Sequence, residues 1–512
     1  MTRRILTLLL AVSLTLAAAP ALAYNGDDDL KITPEPSAIT LFYAFDGNGA
    51  PKGDMPIWQE AARLTNVQMR NVANESITDV KESLNTMLAS GKLPDLIQGH
   101  RDNLAPLISQ GAFLPLDDLI AQYGQNIQRF LEEYPDAKRA GTGPDGQFYY
   151  ISGTLGGDPS KALPSMGFFI RQDWLDKLGL AQPTTLEEYK SVLYAFRNED
   201  PNGNGEKDEV PWFYRDTGIW PLLELWNAEN GWYIKEDGKI YQGRAQEEYK
   251  AALKELAQWY ADGVIDPEIF TRGSQARQFL LGNDQGGATI DWFSSTGAMN
   301  DTVREQVPDI NFVAFAPPGD ISGVVKTNRS RTSLHSYAWG ISIDCEDPVK
   351  AIQFMDFFFT PVGQLLTYGI EGDDYTLVDG SPVPTKKALT NPAGYPNYLR
   401  SIGCYEIGRY GNIMGELAAM NKQARDGYDL YAASDWVRMP FPTLVFNEDE
   451  RYELDNYIAN LNALTDEYQQ RCLLGAQDVD STWNQYIANL EAMGLIEATA
   501  AYNSAYERYL GE

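Results

Sequence analysis

The first hundred residues alternate between short apolar stretches and amphipathic ones, and this order limits the folds open to the chain. Residues 38–44 have the apolar pattern of a buried strand, and residues 66–72 alternate as a half-buried strand does. Helical patterns at residues 57–64 and 78–90 separate these strands from each other and from a third strand at residues 93–97. The order strand, helix, strand, helix, strand predicts a parallel α/β sheet, which binds ligands beside the carboxyl ends of its strands.

The rest of the chain continues this mixture and ends in helices. Strand patterns recur at residues 146–151, 167–171, 287–292, 311–316 and 336–343. Thr184 and Glu187 have the spacing of a capping box and predict the start of a helix. A chain of 512 residues exceeds one ordinary core, so two or more lobes are expected. The sequence contains no repeat or low-complexity linker, and we therefore expect these lobes to be intertwined.

An oxygen-rich loop at residues 200–209 predicts a cation site. Its possible ligands are Asp200, Asn202, Asn204, the backbone carbonyl of Glu206, Asp208 and Glu209. Ca²⁺ takes about six to eight oxygens, and an EF-hand loop supplies them in this order with glycine at its sixth position, here Gly205. The twelfth residue is Pro211 instead of the usual Glu, so Asp208 or Glu209 must complete the shell. We expect a structural Ca²⁺, and a solvated turn rich in Asn and Gly is the alternative.

The amino terminus has the pattern of an export signal. Arg3 and Arg4 precede an apolar run that ends in Ala21, Leu22 and Ala23. Basic, apolar and small-residue regions in this order direct secretion. We expect residues 1–23 to be a signal peptide cleaved after Ala23, with no cysteine beside the site to accept a lipid. The protein would then be periplasmic or extracellular.

Charge and cysteine content exclude several classes of function. The chain has 71 acidic and 41 basic residues, a formal net charge of −30, which opposes binding to nucleic acid or to an anionic membrane. It has only two histidines, and its three cysteines lie far apart, so no zinc site is expected. These cysteines, Cys345, Cys404 and Cys472, form either one disulfide or buried free thiols.

Aromatic and polar side chains at predicted strand ends are candidates for ligand contact. Aromatic faces cover the C–H faces of sugar rings, while carboxylate, amide and guanidinium groups bond the hydroxyls. The candidates are His100, Arg101 and Asp102 after one predicted strand, Asp291 and Trp292 at the end of another, Tyr337 and Trp339 in a third, and Trp220. Core packing is the alternative for each aromatic. Trp174, Trp259 and Trp483 lie on amphipathic helices and are expected in the core.

Known catalytic motifs are absent from the sequence. The chain has no G-x-S-x-G elbow, P-loop or H-E-x-x-H motif. We therefore expect a protein that is not an enzyme. Glycoside hydrolysis needs only two carboxyl groups about 5–10 Å apart, which leave no sequence signature, so a secreted carbohydrate-active hydrolase stays the alternative function. A ligand sensor or adhesion module is a third possibility.

Several motifs together resemble the extracellular solute-binding proteins of bacterial ABC importers, in the group that binds sugars and oligosaccharides. They lie at residues 90–96, 169–180, 183–189, 200–209, 369–375 and 483–509, so the resemblance covers nearly the whole chain after the leader. It implies a structural Ca²⁺ in the loop at residues 200–209. It also implies sugar stacking at Trp292 and polar sugar contacts at Asp46, Asn48 and residues 100–102.

The resemblance implies a periplasmic-binding-protein-like α/β fold with two intertwined lobes, a hinge and a helical carboxyl-terminal region. The amino-terminal lobe would hold residues 24–150 and about 318–372, and the other lobe residues 151–317 and about 373–512. A carbohydrate, expected to be an oligosaccharide, would bind between the lobes and favour the closed form. A membrane-embedded ABC permease would then recognise that form. We expect a monomer that does not bind nucleic acid.

Overall fold

The computed structural model describes residues 30–44, 50–75, 77, 79–404 and 410–511. The predicted signal peptide and the candidate ligand contacts Asp46 and Asn48 lie outside these ranges.

The observed elements follow the predicted alternation closely. Up to residue 154 they are β1 (Ser37–Phe42), α1 (Pro56–Thr65), β2 (Val67–Asn71), α2 (Val80–Ala89), β3 (Leu96–His100), α3 (Arg101–Ser109), α4 (Asp117–Tyr123), α5 (Gln125–Glu133), α6 (Pro135–Gly141) and β4 (Tyr150–Thr154). Next come β5 (Leu163–Pro164), β6 (Met166–Arg171), α7 (Gln172–Leu178), α8 (Leu186–Asn198), β7 (Val210–Trp212), β8 (Trp232–Ile234), β9 (Ile240–Gln242), α9 (Glu247–Ala261), α10 (Ala276–Gly282), β10 (Gly286–Trp292), α11 (Phe293–Gly297), α12 (Met299–Thr302) and β11 (Phe312–Phe315).

The second half of the chain returns to strands and then becomes helical. Its elements are β12 (Ser330–Arg331), β13 (Leu334–Ile341), α13 (Pro348–Phe357), α14 (Pro361–Leu365), β14 (Tyr375–Val378), β15 (Ser381–Pro384), α15 (Lys386–Leu389), α16 (Tyr395–Ser401), α17 (Ile413–Ala418), α18 (Lys422–Ala432), α19 (Glu448–Leu473), α20 (Val479–Ala492) and α21 (Leu495–Gly511). The predicted helical carboxyl-terminal region is therefore present. A 3₁₀ helix at Trp220–Trp226 lies between β7 and β8.

Two larger sheets organise the chain, and each has its own core. The first has the order β2-β1-β3-β13-β4, and the second has the order β11-β6-β10-β7. As predicted, β1 pairs in parallel with β2 and β3. Strand β13 is antiparallel to both β3 and β4, and β6 is antiparallel to both β10 and β11. Separate buried clusters cover the two sheets.

Three predictions about single residues can be compared with the fold. Trp174, Trp259 and Trp483 are buried, which confirms their assignment to the core. Within the described residues, Cys345 and Cys472 are free thiols, and Cys404 Sγ donates a bond of 3.3 Å to Leu366 O. The predicted cap of α8 is wrong by one residue: Thr185 is the N-cap and accepts the bond from Glu188 N, while the Glu188 carboxylate accepts bonds from Thr184.

Two antiparallel segments connect the sheets. The chain leaves the first sheet after β4 and enters the second at β6, and it returns from β11 to β13. Between the sheets, β5 pairs with β12, so that Pro164 lies opposite Ser330 and Leu163 lies opposite Arg331. We call β5 and β12 the crossing ribbon.

A third segment passes close to the crossing ribbon. Gly411 N donates a hydrogen bond of 2.7 Å to Thr154 O. Gly156 has a φ of 78°, and a Cβ atom placed on it would lie only 2.5 Å from Gly411 O. Glycine is required at this position because it has no Cβ and adopts positive φ without strain.

Candidate ligand-binding site

Four of the predicted ligand contacts lie at the carboxyl end of β3. His100 ends β3, and its Nδ1 accepts a bond of 3.4 Å from Asp102 N. Its ring meets the ring of Tyr337 edge-on, with centroids 5.6 Å apart, because β3 and β13 pair at these residues. Asp102 is exposed, whereas Arg101 is half-buried and its Nε has no hydrogen-bond partner within the described residues. The first sheet therefore brings these side chains to one edge.

The structure removes Trp339 from this group. Its side chain is 1% exposed and packs against Phe354 and Phe358, with ring centroids 6.5 and 5.6 Å away. Although Tyr337 and Trp339 share a face of β13, the residues in and directly after α13 cover that face at Trp339. The prediction that Trp339 contacts a ligand is therefore wrong, because its ring is enclosed in the core.

The second predicted group centres on a buried carboxylate at the end of β10. The Asp291 side chain is 1% exposed. Its Oδ1 accepts a bond from Arg215 Nε at 2.7 Å, and its Oδ2 accepts one from Arg277 Nη1 at 2.8 Å. Trp292 N also donates to Oδ1 at 2.7 Å. Burial lowers the pKa of Arg277. Asp291 is thus fully engaged, and it positions two guanidinium groups and the backbone of Trp292.

Two tryptophans on this side of the molecule each carry an arginine against their ring. The guanidinium carbon of Arg329 lies 4.3 Å from the ring centroid of Trp220, and that of Arg331 lies 5.9 Å from the centroid of Trp292. Both distances are within the range of cation–π attraction. Arg331 belongs to β12 of the crossing ribbon, and Arg329 precedes that strand. The segment that connects the two sheets therefore contacts two of the four aromatic rings that were predicted from the sequence as ligand contacts.

A buried carboxylate holds Arg329 in place. Arg329 Nε forms an ion pair of 3.3 Å with Glu224 Oε2, which also accepts a bond of 3.1 Å from Asn328 N. Burial raises the pKa of Glu224. Trp220 and Glu224 belong to the same 3₁₀ helix, so the ring and the carboxylate fix the guanidinium from two sides.

A cavity of about 1270 Å³ opens beside Trp220 and Arg329. Its walls come from the 3₁₀ helix, the segment before β12, hairpin β8–β9, residues 438–443 and α21, with Asp136 of α6 contributed from the side of the first sheet. The lining residues include Trp220, Glu229, Trp232, Tyr233, Lys326, Asn328, Thr332, Phe441, Tyr506 and Tyr509. Sites for drug-sized ligands usually measure about 300–1,000 Å³, so this cavity is large for a small ligand.

The charged groups beside Trp220 are already paired. Lys326 Nζ lies 3.2 Å from Asp320 Oδ2, and Arg329 is paired with Glu224 as described above. Glu229 accepts a hydrogen bond from the side-chain amide of Asn328, and burial raises its pKa. The cavity consequently combines aromatic faces with fixed polar groups at their edges, the arrangement that a sugar ring and its hydroxyls require.

Trp220 is among the contacts predicted from the sequence, whereas the other residues of this wall were not predicted. Tyr502, Tyr506 and Tyr509 recur at helical spacing, and that pattern could have indicated one aromatic face of α21. No local pattern connects this face with Trp232, because hairpin β8–β9 reaches α21 only through the tertiary fold.

The predicted cation loop folds around the carboxylate of Asp200. Its Oδ1 accepts bonds from Gly203 N at 2.9 Å and Asn204 N at 3.1 Å, and its Oδ2 accepts one from Gly205 N at 3.0 Å. Asp208 Oδ1 accepts bonds from the side-chain amides of Asn202 and Asn204, at 3.2 and 3.1 Å. The side chains selected from the sequence therefore converge on the same small loop.

The environment of the Glu209 carboxylate indicates whether this loop fits a cation. Its Oε1 is buried and has no hydrogen-bond partner in the described part of the chain. Burial raises the pKa of Glu209, and the charges of Asp208 and Asp200 raise it further. A cation would satisfy such a carboxylate. Within the described ranges, no three His, Cys, Asp or Glu side chains converge as a ready-made metal site. The carboxylates of Asp200 and Asp208 instead bond to the loop's own amides.

Comparison with known proteins decides the family. The sequence profile described as bacterial extracellular solute-binding protein matches residues 59–381, more than half of the chain. The chain belongs to this family.

Two curated solute-binding proteins illustrate the relationship. The fructooligosaccharide ABC transporter substrate-binding protein FusA of Streptococcus pneumoniae is 26% identical over 467 residues, which cover 84% of this chain and 83% of FusA. The polygalacturonan/rhamnogalacturonan-binding protein YtcQ of Bacillus subtilis is 22% identical over 353 residues, which cover 67% of this chain and 68% of YtcQ.

Solved structures of solute-binding proteins share the fold. The alginate-binding protein AlgQ2, solved without calcium ion, superposes with a TM-score of 0.84 at 32% identity, over 93% of this chain and 99% of AlgQ2. FusA of S. pneumoniae in complex with kestose superposes with a TM-score of 0.75 at 21% identity, over 93% and 99% of the two chains. These likenesses confirm the predicted periplasmic-binding-protein-like α/β fold. Among the described residues, none of the helices combines the length and the apolar composition that a membrane span requires.

Proposed function

We propose that this solute-binding protein captures an oligosaccharide outside the cytoplasm and delivers it to an ABC-type permease. The observation that carries the proposal is the cavity beside Trp220, where aromatic faces meet paired polar groups. The names of FusA, YtcQ and AlgQ2 all refer to binding of saccharides or polysaccharides, which supports the same ligand class. The chain would bind its ligand without breaking a bond.

The two sheets with their cores would be the two lobes of the proposal. The first lobe would extend to β4 and resume with β13, and the second would begin at β6 and resume after Asn412. The change after Asn412 replaces the predicted boundary near residues 372 and 373, because Leu399, Cys404 and Tyr410 still pack in or against the core of the first sheet. The crossing ribbon and the Gly156–Gly411 contact would then form the hinge.

Ligand contacts would come from both lobes. The first lobe would contribute His100, Arg101, Asp102 and Tyr337, and the second would contribute Trp220 and Trp292. Asp291 would act through Arg215 and Arg277, since its carboxylate is enclosed by them. Asp46 and Asn48 stay predicted contacts. Closure of the lobes over a ligand held by both would give the permease a distinct form to recognise.

A binding assay with product analysis tests the function. Calorimetric titration of the purified protein with neutral fructo-oligosaccharides and acidic oligogalacturonides should show saturable binding of at least one series. Chromatography of the same mixtures after long incubation should recover the saccharide intact. Steady release of shorter products would support the hydrolase instead, and the absence of binding to any saccharide would contradict the proposal.

We also propose that the loop at residues 200–209 holds a structural Ca²⁺. The ligands would be Asp200, Asn202, Asn204, the carbonyl of Glu206, Asp208 and Glu209, and the ion would supply charge that neutralises these carboxylates. An EF-hand mutant of FusA has been solved and AlgQ2 has been solved without calcium ion, which supports a metal loop in relatives.

Thermal unfolding with and without a chelator tests the calcium proposal. The chelator should lower the Tm, and Ca²⁺ in excess should restore it, because a ligand at 100 times its Kd adds about 2.7 kcal/mol to stability. Glu209→Gln should lose most of this response, whereas Lys207→Ala in the same loop should keep it. A Tm that is unchanged by the chelator would contradict a structural ion.

The proposal also covers the export of the protein and its oligomeric state. The family is extracellular by its description, and the predicted signal peptide would account for export. We propose that the mature protein works as a monomer, which light scattering after size exclusion would test directly.

A further inference from the structure

The last helix carries a stripe of tyrosines toward the cavity. Tyr502, Tyr506 and Tyr509 are spaced by four and then three residues, so they share one face of α21. The ring of Tyr502 is stacked on Trp232 of β8, with centroids 4.2 Å apart and planes inclined by 18°. The rings of Tyr506 and Tyr509 stack on each other at 6.0 Å and 15°.

Tyr506 and Tyr509 differ from tyrosines of the core. Both are half-buried and line the cavity, and neither hydroxyl has a hydrogen-bond partner among the described residues. Core tyrosines usually satisfy their hydroxyls, as Tyr431 and Tyr486 do here. The paired rings therefore offer aromatic surface and free polar edges to whatever enters the cavity.

The stripe is continuous with the site at Trp220. One cavity contains Trp220 and Asn328 together with Trp232, Tyr506 and Tyr509. Arg139 of α6 lies over the ring of Tyr509, with its guanidinium carbon 5.2 Å from the centroid, so the far end of the cavity also contacts an element that precedes the crossing ribbon. A ligand that starts at Trp220 can reach α21 without leaving the cavity.

We propose that Tyr506 and Tyr509, beside Trp232, form a second sugar-binding subsite, which takes the distal units of an oligosaccharide whose proximal unit lies at Trp220. This inference rests on the proposed function and specifies it, because it makes chain length a determinant of affinity. A cavity of about 1270 Å³ has room beyond a single ring. Short saccharides would occupy the end at Trp220 and leave α21 without a contact.

A length series tests the subsite. Affinities would be measured by calorimetry for the disaccharide, trisaccharide, tetrasaccharide and longer members of the fructo-oligosaccharide and oligogalacturonide series. For the series that binds, wild-type affinity should rise with length. Tyr506→Ala and Tyr509→Ala should each weaken binding of the longest member on the order of tenfold, as loss of one aromatic contact predicts, and leave the shortest bound member unchanged. Trp220→Ala should weaken all members.

Control variants separate the subsite from a role in folding. Tyr509→Phe keeps the ring and should bind the long saccharide within a few-fold of wild type. Tyr123→Ala removes an exposed tyrosine at the end of α4 and should change nothing. Equal losses for short and long saccharides, or no loss for either, would overturn the subsite while leaving the binding function intact. If no saccharide binds the wild type, the proposed function itself fails and the subsite fails with it.

Discussion

At the scale of single residues, Asp291 is a predicted ligand contact whose effect on the candidate site is indirect, because it positions neighbouring groups. The sequence places Asp291 beside Trp292 at a strand end, where a sugar ligand would lie. In the fold its carboxylate is enclosed by Arg215, Arg277 and the backbone of Trp292. The guanidinium of Arg215, one-third exposed, is the group of this cluster that solvent and ligand can reach.

Removal of this carboxylate should destabilise the protein strongly. Asp291→Ala leaves Arg277, whose side chain is only 15% exposed, without its opposite charge, and breaking a buried ion pair from one side costs about 3–5 kcal/mol. The free energy of unfolding from urea denaturation measures the loss. Asp216→Ala, a neighbouring exposed carboxylate, should stay within about 0.5 kcal/mol of wild type. A loss for Asp291→Ala that is no larger than this control would contradict the structural role.

At the scale of elements, one carboxylate connects the start of α19 with the end of α21. Glu450 and Asn447 form a capping box at the start of α19. Arg508 of α21 donates two bonds to the same carboxylate, at 2.6 and 2.5 Å. Burial opposes ionisation of Glu450, but these bonds and the one from Asn447 N outweigh burial and lower its pKa. An ion pair therefore fixes α21 at its carboxyl-terminal end, beside Tyr509.

The lowered pKa sets the pH range in which this ion pair contributes. Its stabilisation is complete above the pKa of Glu in the unfolded chain, about 4.3, and is lost as the pH falls through the lower folded value. Glu450→Gln keeps the cap but removes the charge, and at neutral pH it should cost about 1 kcal/mol, since Arg508 is partly exposed.

Denaturation of wild type and Glu450→Gln as a function of pH checks this prediction. The difference in unfolding free energy should shrink as the pH falls below about 4. Glu448→Gln changes an exposed carboxylate in the same turn and should show only a small effect. A difference between wild type and Glu450→Gln that persists unchanged in acid would exclude the ion pair as its cause.

At the scale of the whole molecule, glycines allow the connecting segments to pass in contact. Gly156 and Gly411 approach so closely that a Cβ on either would collide with the other segment's backbone. A proposed hinge at this place requires the segments to be close, because their separation would leave the lobes to move independently. The close approach of these two segments would therefore limit how far the two sheets can move relative to each other.

Gly156→Ala should destabilise the protein by more than its backbone strain alone. The positive φ costs about 1 kcal/mol for alanine, and the contact of 2.5 Å with Gly411 O forces a further displacement. Gly91→Ala provides the matched control, since Gly91 also has a positive φ (67°) but no atom within 4 Å of its added Cβ. Thermal unfolding should show a clearly larger loss at Gly156. Equal losses would mean that the close approach has no energetic consequence.

The sequence by itself determined the main elements, and it predicted a cation loop at residues 200–209. Periodicity located the first five elements within a few residues, because strands and helices impose different spacings on apolar side chains. The spacing of oxygen ligands at residues 200–209 was sufficient to predict a cation loop, since all the ligands lie within one short segment.

Only the tertiary structure decided which aromatic side chains are buried in a core and which line the cavity. Trp339 and Tyr337 have the same spacing signal, yet α13 buries one and leaves the other at an edge. Trp232 and Tyr509 come together although long stretches of chain separate them. Such contacts depend on how distant elements pack, and the local spacing of side chains along one strand or helix carries no information about that packing.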